Sequence, residues 1–238
     1  MAEWLSRVER MIGGEQTARL QKARVAVLGL GGVGASAAEA LCRSGIGSLL
    51  LVDADEVNLS NLNRQLIATL ETVGEPKVIA AKRRLLSINP DVELTLSREF
   101  LVRENLSFIA DWRPDAVVDA IDTVTAKLGV AELCAEREIP LVSCFGMGNR
   151  LHPELIRVGK AEDTAGTGCR LSHVMRRELK RRGIPSPTVV YSVEKPLEPT
   201  ESVSENGRHP PASMAFVPCA AGFTLAAAAV REILGRRD

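Results

Sequence analysis

Residues 24–34 have the sequence Arg-Val-Ala-Val-Leu-Gly-Leu-Gly-Gly-Val-Gly, in which a short apolar run leads directly into four glycines. The β-branched run at residues 24–28 predicts a buried parallel strand. The glycines allow a tight turn and a close approach of the backbone to phosphate. A helix predicted at residues 33–43 would direct its N-terminus at that phosphate. The candidate phosphate-binding glycines are Gly29, Gly31, Gly32 and Gly34.

A second apolar run, at residues 48–52, ends in Asp53. A carboxylate about 20 residues beyond such glycines commonly binds a ribose hydroxyl. The strand, the glycine turn, the helix and the acid together favour a nucleotide site over a glycine turn that serves only packing.

The residues that follow Asp53 suggest which nucleotide is bound. Residues 53–65 have the sequence Asp-Ala-Asp-Glu-Val-Asn-Leu-Ser-Asn-Leu-Asn-Arg-Gln. Arg64 supplies a planar guanidinium, and Asn61 and Gln65 supply amide donors, a set that suits a polyphosphate. We interpret the segment as a site that holds ATP for attack at its α-phosphate. The alternative is a solvated loop in which Asn61 is a turn residue.

Two further charged residues occur at the ends of predicted elements. Lys77 follows Pro76 at the start of a helix, where a cation opposes the helix dipole. A cation at this unfavourable position indicates that the helix end faces phosphate. An exposed lysine is the alternative. Asp122 follows a strand at residues 116–118, so it would lie at the carboxyl edge of the sheet. Its carboxylate could hold Mg²⁺ or cap the next helix, whereas we expect Asp119 to make a structural contact.

Length and composition bound the fold. The chain has 238 residues, with 30 basic and 30 acidic side chains, so its net charge is zero. Alternating strand and helix patterns predict an α/β fold with a doubly wound, mostly parallel, Rossmann-like sheet and a C-terminal elaboration. We expect one domain, with a nucleotide-binding core at residues 1–150 and a substrate-side elaboration at residues 151–238.

The cysteines and the apolar segments indicate a cytoplasmic protein. Five cysteines without a Cys-x-x-Cys pair fit a reducing compartment and no structural zinc site. We expect no secretion signal, because no basic segment precedes an apolar stretch at the start. Residues 209–230 contain no Asp, Glu, Lys or Arg, and their length would span a membrane. Because prolines interrupt them, a buried helix at residues 219–230 is the favoured interpretation.

The segment at residues 162–182 has a candidate nucleophile and a basic helix. A small-residue loop that we expect to be mobile ends at Cys169, where a helix begins. A helix N-terminus and the adjacent Arg170 would lower the pKa of Cys169, so its thiolate could accept an acyl group. An ordinary buried thiol is an equally open alternative. The basic side chains of this helix either contact nucleic-acid phosphates or form a solvated face: Arg170, Arg176, Arg177, Lys180 and Arg181.

These motifs together resemble the ThiF/MoeB-like superfamily, which also contains the adenylating domain of ubiquitin-activating enzymes. The resemblance implies an ATP site in which Asp53 and Asp55 belong to the ribose-binding motif and Asp122 binds Mg²⁺. It also implies a homodimer in which Arg7 or Arg10 reaches the ATP of the neighbouring subunit. The remaining residues of the implied site bind phosphates: Asn61, Arg64, Gln65 and Lys77.

A narrower resemblance, to the tRNA threonylcarbamoyladenosine dehydratase branch, covers nearly the whole chain. It rests on residues 120–127, 174–179, 190–196 and 216–218. It implies that the protein uses ATP to adenylate the carboxylate of the modified adenosine in tRNA, after which loss of water closes a ring. The candidate catalytic residues are then Arg7, Arg64, Lys77, Asp122 and Cys169.

Two other functions remain as alternatives. The first is adenylation of a ubiquitin-like sulfur-carrier protein, against which the missing cysteine pairs and the basic helix argue. A sulfur-relay protein is a possible partner in either case. The second is an NAD-linked dehydrogenase, which would leave Arg64, Gln65 and Lys77 without a role. We expect no membrane partner.

Overall fold

A sheet of seven strands forms the centre of the computed structural model, which describes residues 3–198 and 211–235. The strand order is β3-β2-β1-β4-β5-β7-β6, and every neighbouring pair is parallel except β6 and β7. The predicted mostly parallel sheet is therefore confirmed. The strands are β1 (Arg24–Leu28), β2 (Ser48–Val52), β3 (Glu93–Ser97), β4 (Ala116–Asp119), β5 (Leu141–Cys144), β6 (Ile156–Lys160) and β7 (Thr188–Ser192).

Helices cover both faces of this sheet, as a doubly wound fold requires. Alternate residues of β1 separate the two layers: Val25 and Val27 pack in one apolar core, and Ala26 and Leu28 pack in the other. The first core includes α2, α3, α4 and α8, and the second includes α5, α6 and α7. The helices are α1 (Ser6–Ile12), α2 (Gly14–Lys22), α3 (Gly32–Arg43), α4 (Lys77–Leu86), α5 (Ser107–Asp111), α6 (Val124–Glu136), α7 (Arg170–Arg182) and α8 (Phe216–Leu234).

The strand order places a crevice at the carboxyl ends of β1 and β4. The chain runs outward from β1 to β3 on one side and from β4 onward on the other, so this is the switch point at which α/β sheets bind ligands. The last residues of three strands are in register here, with Leu28 beside Val52 and beside Asp119. The loops that follow β1, β2 and β4 therefore meet at one edge of the sheet.

The helix predicted at residues 219–230 is longer than expected, because α8 includes Pro218. Proline is tolerated there because the N–H groups of the first helical turn have no intrahelical partner to lose. Helix α8 is long and apolar enough to cross a membrane, but 56% of its most apolar window is buried. It packs along α3 and against β4 and β5, which is the arrangement expected of a buried core helix.

The loop at residues 162–168 differs from the mobile segment expected from its small residues. It begins with a 3₁₀ turn, Ala161–Thr164, and both Thr164 and Thr167 are buried. The Thr164 hydroxyl donates to the carbonyl of Ala161 at 2.7 Å, and the Thr167 hydroxyl donates to the carbonyl of Thr164 at 2.9 Å. The hydroxyl groups of two threonines thus hold the loop in place by hydrogen bonds to backbone carbonyls three residues earlier in the chain.

We expect Gly222→Ala to destabilise the protein, because α8 contacts α3 at this residue. A Cβ atom on Gly222 would lie 2.3 Å from the carbonyl oxygen of Val33, which α3 cannot move aside. The free energy of unfolding should fall by about 1–3 kcal/mol, measured by urea denaturation. Gly14→Ala, in which the nearest atom is the flexible end of Glu9, is the matched control. Equal stability of the two variants would contradict the close packing of α8 on α3.

Candidate active site

The glycine turn after β1 contains two tightly packed glycines, Gly29 and Gly34, and one glycine, Gly31, that faces open space. Gly29 has a φ of +84°, and a Cβ atom on Gly34 would lie 1.8 Å from the carbonyl oxygen of Gly29. These two glycines let α3 approach β1 closely, as the packing interpretation requires. A Cβ atom on Gly31, in contrast, would meet nothing within 4 Å. The space in front of Gly31 is where a phosphate would lie.

The N-terminus of α3 faces that space. Its N-cap residue is Gly31, and no side chain within residues 3–198 and 211–235 caps the helix. The uncapped N–H groups of the first turn and the helix dipole suit a phosphate group. A Cβ atom on Gly32 would lie 3.0 Å from the carbonyl oxygen of Arg64. The tertiary structure therefore brings the Asn- and Arg-containing loop to the glycine turn.

Arg64 is oriented by its own loop. Its Nη1 donates to the carbonyl of Ser60 and to Oδ1 of Asn63, both at 2.8 Å. The Cys219 thiol donates to the carbonyl of Arg64 at 3.6 Å, which links this loop to the first turn of α8. One edge of the guanidinium is thereby fixed, and the rest of the group is available to an anion.

The two amide side chains of the loop have different surroundings. Oδ1 of Asn61 accepts the backbone N–H of Asn58 at 3.0 Å, so Asn61 is a turn residue as well as a candidate ligand. Gln65 is only 6% exposed, and its Oε1 atom has no hydrogen-bond partner among the described residues. A buried amide oxygen without a partner is costly, so Gln65 is a group that a bound molecule or water would satisfy.

Asp53, Asp55 and Lys77 form a charged cluster at the carboxyl end of β2. Oδ2 of Asp53 accepts the N–H of Leu30 at 2.6 Å, and Nζ of Lys77 lies 3.7 Å from its Oδ1. Nζ of Lys77 also lies 2.7 Å from Oδ2 of Asp55. The Lys77 side chain is 8% exposed, so the alternative of an exposed lysine is wrong. Its ammonium group is held between two carboxylates, one of which, Asp53, connects it to the glycine turn.

Asp122 projects from the loop after β4. It is exposed, and it accepts the Thr123 hydroxyl at 3.3 Å. Thr123 occupies the N-cap of α6 and no side chain caps that helix in the described structure, so the capping alternative for Asp122 is wrong. The described residues contain no group of three or more His, Cys, Asp or Glu side chains that could hold a metal ion. A cation at Asp122 would therefore take its other ligands from phosphates and water.

A buried ion pair supports the loop that carries Asp122. Nζ of Lys127 donates to Oδ2 of Asp119 at 2.7 Å and to the carbonyl of Ile121 at 3.1 Å. The Ser143 hydroxyl also donates to Oδ2 of Asp119, at 2.6 Å. The structural contact expected of Asp119 is confirmed. The pairing of Lys127 with Asp119 was not predicted. The signal that could have identified it is a single lysine among the apolar residues at 126–131.

The surroundings of Cys169 agree with a lowered pKa but assign it a different cause. Burial opposes ionisation of the Cys169 thiol, but the nearby hydroxyl and N–H of Ser172 and the charge of Arg150 outweigh it, so the pKa lies below its ordinary value. Arg170, the neighbour expected to lower it, is not among the causes. Cys169 is the N-cap of α7, and its Sγ accepts the N–H of Ser172 at 3.4 Å. Arg150 and Ser172 carried no local sequence signal for this role.

Arg7 and Arg10 lie far from the glycine turn of their own subunit. Both are exposed on α1, and the preceding residue Leu5 packs where a Cβ atom of Gly45 would be. Gly45 follows the C-terminus of α3, whereas the phosphate space is at its N-terminus. The 12 residues of α3 span about 18 Å. Arg7 and Arg10 therefore lie too far away to reach the glycine turn of their own subunit, and the role of either one at the ATP of a neighbouring subunit stays a prediction.

The basic side chains of α7 fall into two groups. Glu178 pairs with Arg177 at 3.3 Å and with Arg181 at 2.6 Å, which offsets part of their charge. Arg170 and Lys180 are exposed. Several basic residues surround a cavity of about 360 Å³, whose lining is Glu162, His173, Arg176, Arg177 and Lys180.

Comparisons with known proteins agree with this geometry. A profile of the ThiF family matches residues 5–237. The chain is 38% identical over 245 residues to the tRNA threonylcarbamoyladenosine dehydratase of Bacillus subtilis strain 168, a match that covers 98% of this chain and 96% of that protein. The solved structure of E. coli tRNA N6-threonylcarbamoyladenosine dehydratase, TcdA, in complex with ATP has a TM-score of 0.86 at 28% identity, covering 98% of this chain and 95% of that one.

A second kind of relative matches a smaller part of the chain. The sulfur carrier protein ThiS adenylyltransferase of E. coli K12 is 37% identical over 135 residues, which are 56% of this chain and 53% of that protein. The shared region is therefore about half of each protein.

We expect Lys127→Met to be strongly destabilising, because it leaves the Asp119 carboxylate buried and unpaired. The free energy of unfolding should fall by about 3–5 kcal/mol, measured by urea denaturation. Adding Asp119→Asn should recover part of this loss, since the two residues are coupled. Lys82→Met, at an exposed lysine of α4, is the control. If the double variant loses the sum of the two single losses, the ion pair does not stabilise this loop.

Proposed function

Because the chain belongs to the ThiF family, we propose that it is an ATP-dependent dehydratase that adenylates the carboxylate of threonylcarbamoyladenosine in tRNA and promotes its cyclisation. The observation that carries the proposal is the open position at Gly31, which is faced by the N-terminus of α3 and adjoins Gly32, where the loop of Arg64 approaches. Lys77 is connected to the same turn through Asp53, which accepts the N–H of Leu30. The full-length similarity to a tRNA threonylcarbamoyladenosine dehydratase supports the choice of substrate.

The first step is adenylation. The carboxylate of the modified base attacks the α-phosphate of ATP, forming an acyl-adenylate and releasing pyrophosphate. The N–H groups of α3 and the cations of Arg64 and Lys77 stabilise the negative charge that develops on the phosphates. Asp53, held by the N–H of Leu30, keeps acceptor capacity for a ribose hydroxyl. Asp122 would hold Mg²⁺, which shields the charge of the leaving pyrophosphate.

The second step is ring closure with loss of AMP. The attacking group is already tethered to the activated carbonyl, so proximity alone supplies a large rate gain. We therefore propose direct closure, in which Cys169 does not accept the acyl group. The modified base loses the elements of water overall, because one oxygen of the original carboxylate leaves with AMP and the attacking group releases its proton to solvent.

The remaining assignments concern partners and location. We propose a homodimer, in which one apolar surface of each subunit is covered by the other. Exposed Leu59 and Leu70 on the loop after β2 and exposed Phe216 on α8 belong to that surface. Arg7 would then serve the neighbouring ATP site. The described cysteines are free thiols, which supports a cytoplasmic location.

We also propose that residues 1–150 and 151–238 work as one domain. Helix α8, from the second part, packs directly on α3, from the first. The basic face of α7 is the proposed tRNA contact. Adenylation of a sulfur-carrier protein is the second candidate function, and the match to a ThiS adenylyltransferase, which covers 56% of this chain, is the observation that favours it.

Exchange of radiolabelled pyrophosphate into ATP tests the function. We expect exchange with tRNA that contains threonylcarbamoyladenosine, and none with unmodified tRNA or with a ubiquitin-like carrier protein. Arg64→Ala should slow it by about 100- to 1000-fold, since it removes a donor at the developing charge. Arg19→Ala, at an exposed residue of α2, is the control. Exchange that requires the carrier protein and ignores tRNA would establish the second candidate instead.

We expect Asp122→Asn to lose the Mg²⁺ dependence of adenylation while ATP still binds. Asparagine keeps the shape of the side chain but removes the charge that attracts a divalent cation. Activity measured across a Mg²⁺ titration, with thermal shifts to report ATP binding, separates the two effects. Asp91→Asn, at an exposed carboxylate before β3, should behave as wild type. An unchanged Mg²⁺ response in Asp122→Asn would assign the metal to another residue.

We expect charge reversal on α7 to weaken tRNA binding. Arg176, Arg177 and Lys180 line one cavity, and changing all three to Glu should flatten the salt dependence of tRNA affinity by about one unit for each phosphate that the helix no longer binds. ATP binding should be unaffected. The control reverses Arg19 and Lys22 on α2. Equal tRNA affinity in the two variants would identify α7 as a solvated face.

A further inference from the structure

Two buried hydrogen-bonding groups near Cys169 lack partners. Nη2 of Arg150 and Oγ of Ser172 make no hydrogen bond within the described structure, although Arg150 is 4% exposed and Ser172 is 1% exposed. Buried donors without an acceptor cost free energy, so a retained pair of them indicates an acceptor that is present in some state of the protein.

Gly146 brings these groups to the sulfur. Nη1 of Arg150 donates to the carbonyl of Gly146 at 2.7 Å, and a Cβ atom on Gly146 would lie 2.9 Å from Sγ of Cys169. The guanidinium and the thiol therefore flank the same residue. Nε of Arg150 donates to the carbonyl of Glu194 and its Nη1 to that of Gly148, so the guanidinium is fixed in place. Ser172 lies on the first turn of α7, whose N-cap is Cys169.

The other cysteines have different surroundings. Burial raises the pKa of the Cys42 thiol to about 11 and that of the Cys134 and Cys144 thiols to about 12, so these are inert. Cys219 is half-buried, as Cys169 is, but its thiol donates to the carbonyl of Arg64. Cys169 thus combines solvent access with groups that favour the thiolate.

We propose that Cys169 is a site of oxidation by hydroperoxides, at which Arg150 and Ser172 bind the oxygen of the resulting sulfenate. The thiolate attacks one peroxide oxygen, an S–O bond forms and the O–O bond breaks. The sulfur loses two electrons and the peroxide gains them. The second oxygen leaves as hydroxide from hydrogen peroxide, or as alkoxide from an organic hydroperoxide, and solvent protonates it to water or to the alcohol. The acceptor added by this reaction is a single oxygen atom, which suits donors as buried as these.

The site lies at the functional edge of the sheet but is independent of the proposed tRNA reaction. Gly146 follows β5, which pairs with β4, and β4 leads to the loop of Asp122. Oxidation of Cys169 would thus add an oxygen atom near the carboxyl edge of the sheet, on the side of β5. Oxidation itself requires neither ATP nor tRNA.

The test is sulfenate trapping on the reduced full-length protein. One equivalent of hydrogen peroxide is added with dimedone, and labelled peptides are quantified by mass spectrometry. We expect Cys169 to be labelled severalfold faster than Cys219, because the Sγ atom of Cys169 accepts the N–H of Ser172 whereas the thiol of Cys219 donates to the carbonyl of Arg64. Cys42, Cys134 and Cys144 should remain unlabelled. Labelling of Cys219 at the same rate as Cys169, or none at Cys169, would overturn the proposal.

A variant and a second measurement test the role of the two donors. Ser172→Ala should slow the labelling of Cys169 severalfold and leave that of Cys219 unchanged, whereas Cys219→Ala should leave Cys169 unaffected. If Ser172→Ala does not fold, alkylation of the wild-type protein by iodoacetamide across a pH series tests instead whether the surroundings of Cys169 favour its thiolate. Cys169 should then react with a midpoint at lower pH than free cysteine. A midpoint at the same or higher pH would overturn the proposal.

Discussion

The fold depends on how closely α3 is held between β1 and α8. A Cβ atom at Gly34 would lie 1.8 Å from the backbone of Gly29, and one at Gly222 would lie 2.3 Å from the backbone of Val33. These contacts leave no room for larger side chains on either side of the helix. They fix the N-terminus of α3 at the crevice between β1 and β4, and the phosphate space in front of Gly31 follows from that position. The position of the candidate site is therefore set by helix packing, and the charged residues are added to a space that already exists.

Charge is then distributed around this crevice in two different ways. The pair of Asp119 and Lys127 is fully buried and satisfied by further hydrogen bonds, so it acts as a rigid support. Such a pair stabilises the protein only while both partners remain. Near the glycine turn, in contrast, Lys77 pairs with Asp53 and Asp55, and Arg64 is held by its own loop through Nη1 alone. The first arrangement fixes the loop of Asp122, and the second leaves the rest of the Arg64 guanidinium available to an anion.

The opposite end of the crevice is built around β5 and α7. The Arg150 guanidinium is anchored by three backbone carbonyls and lies beside Gly146 and Cys169. The same helix that begins at Cys169 carries the basic face proposed to contact tRNA. A single helix thus joins an ionisable thiol at the functional edge to the surface proposed for the nucleic acid.

The sequence by itself determined the strands, the glycine turn and most of the residues that lie together at the candidate site. Local patterns were sufficient for these, because residue periodicity and glycine fix the conformation of neighbouring backbone. Only the tertiary structure decided that Arg150 reaches Cys169, that Lys127 pairs with Asp119, and that Arg7 lies away from its own phosphate space. Each of these depends on which strands and helices lie side by side. Strand order is set by packing of the whole chain, which no local pattern encodes.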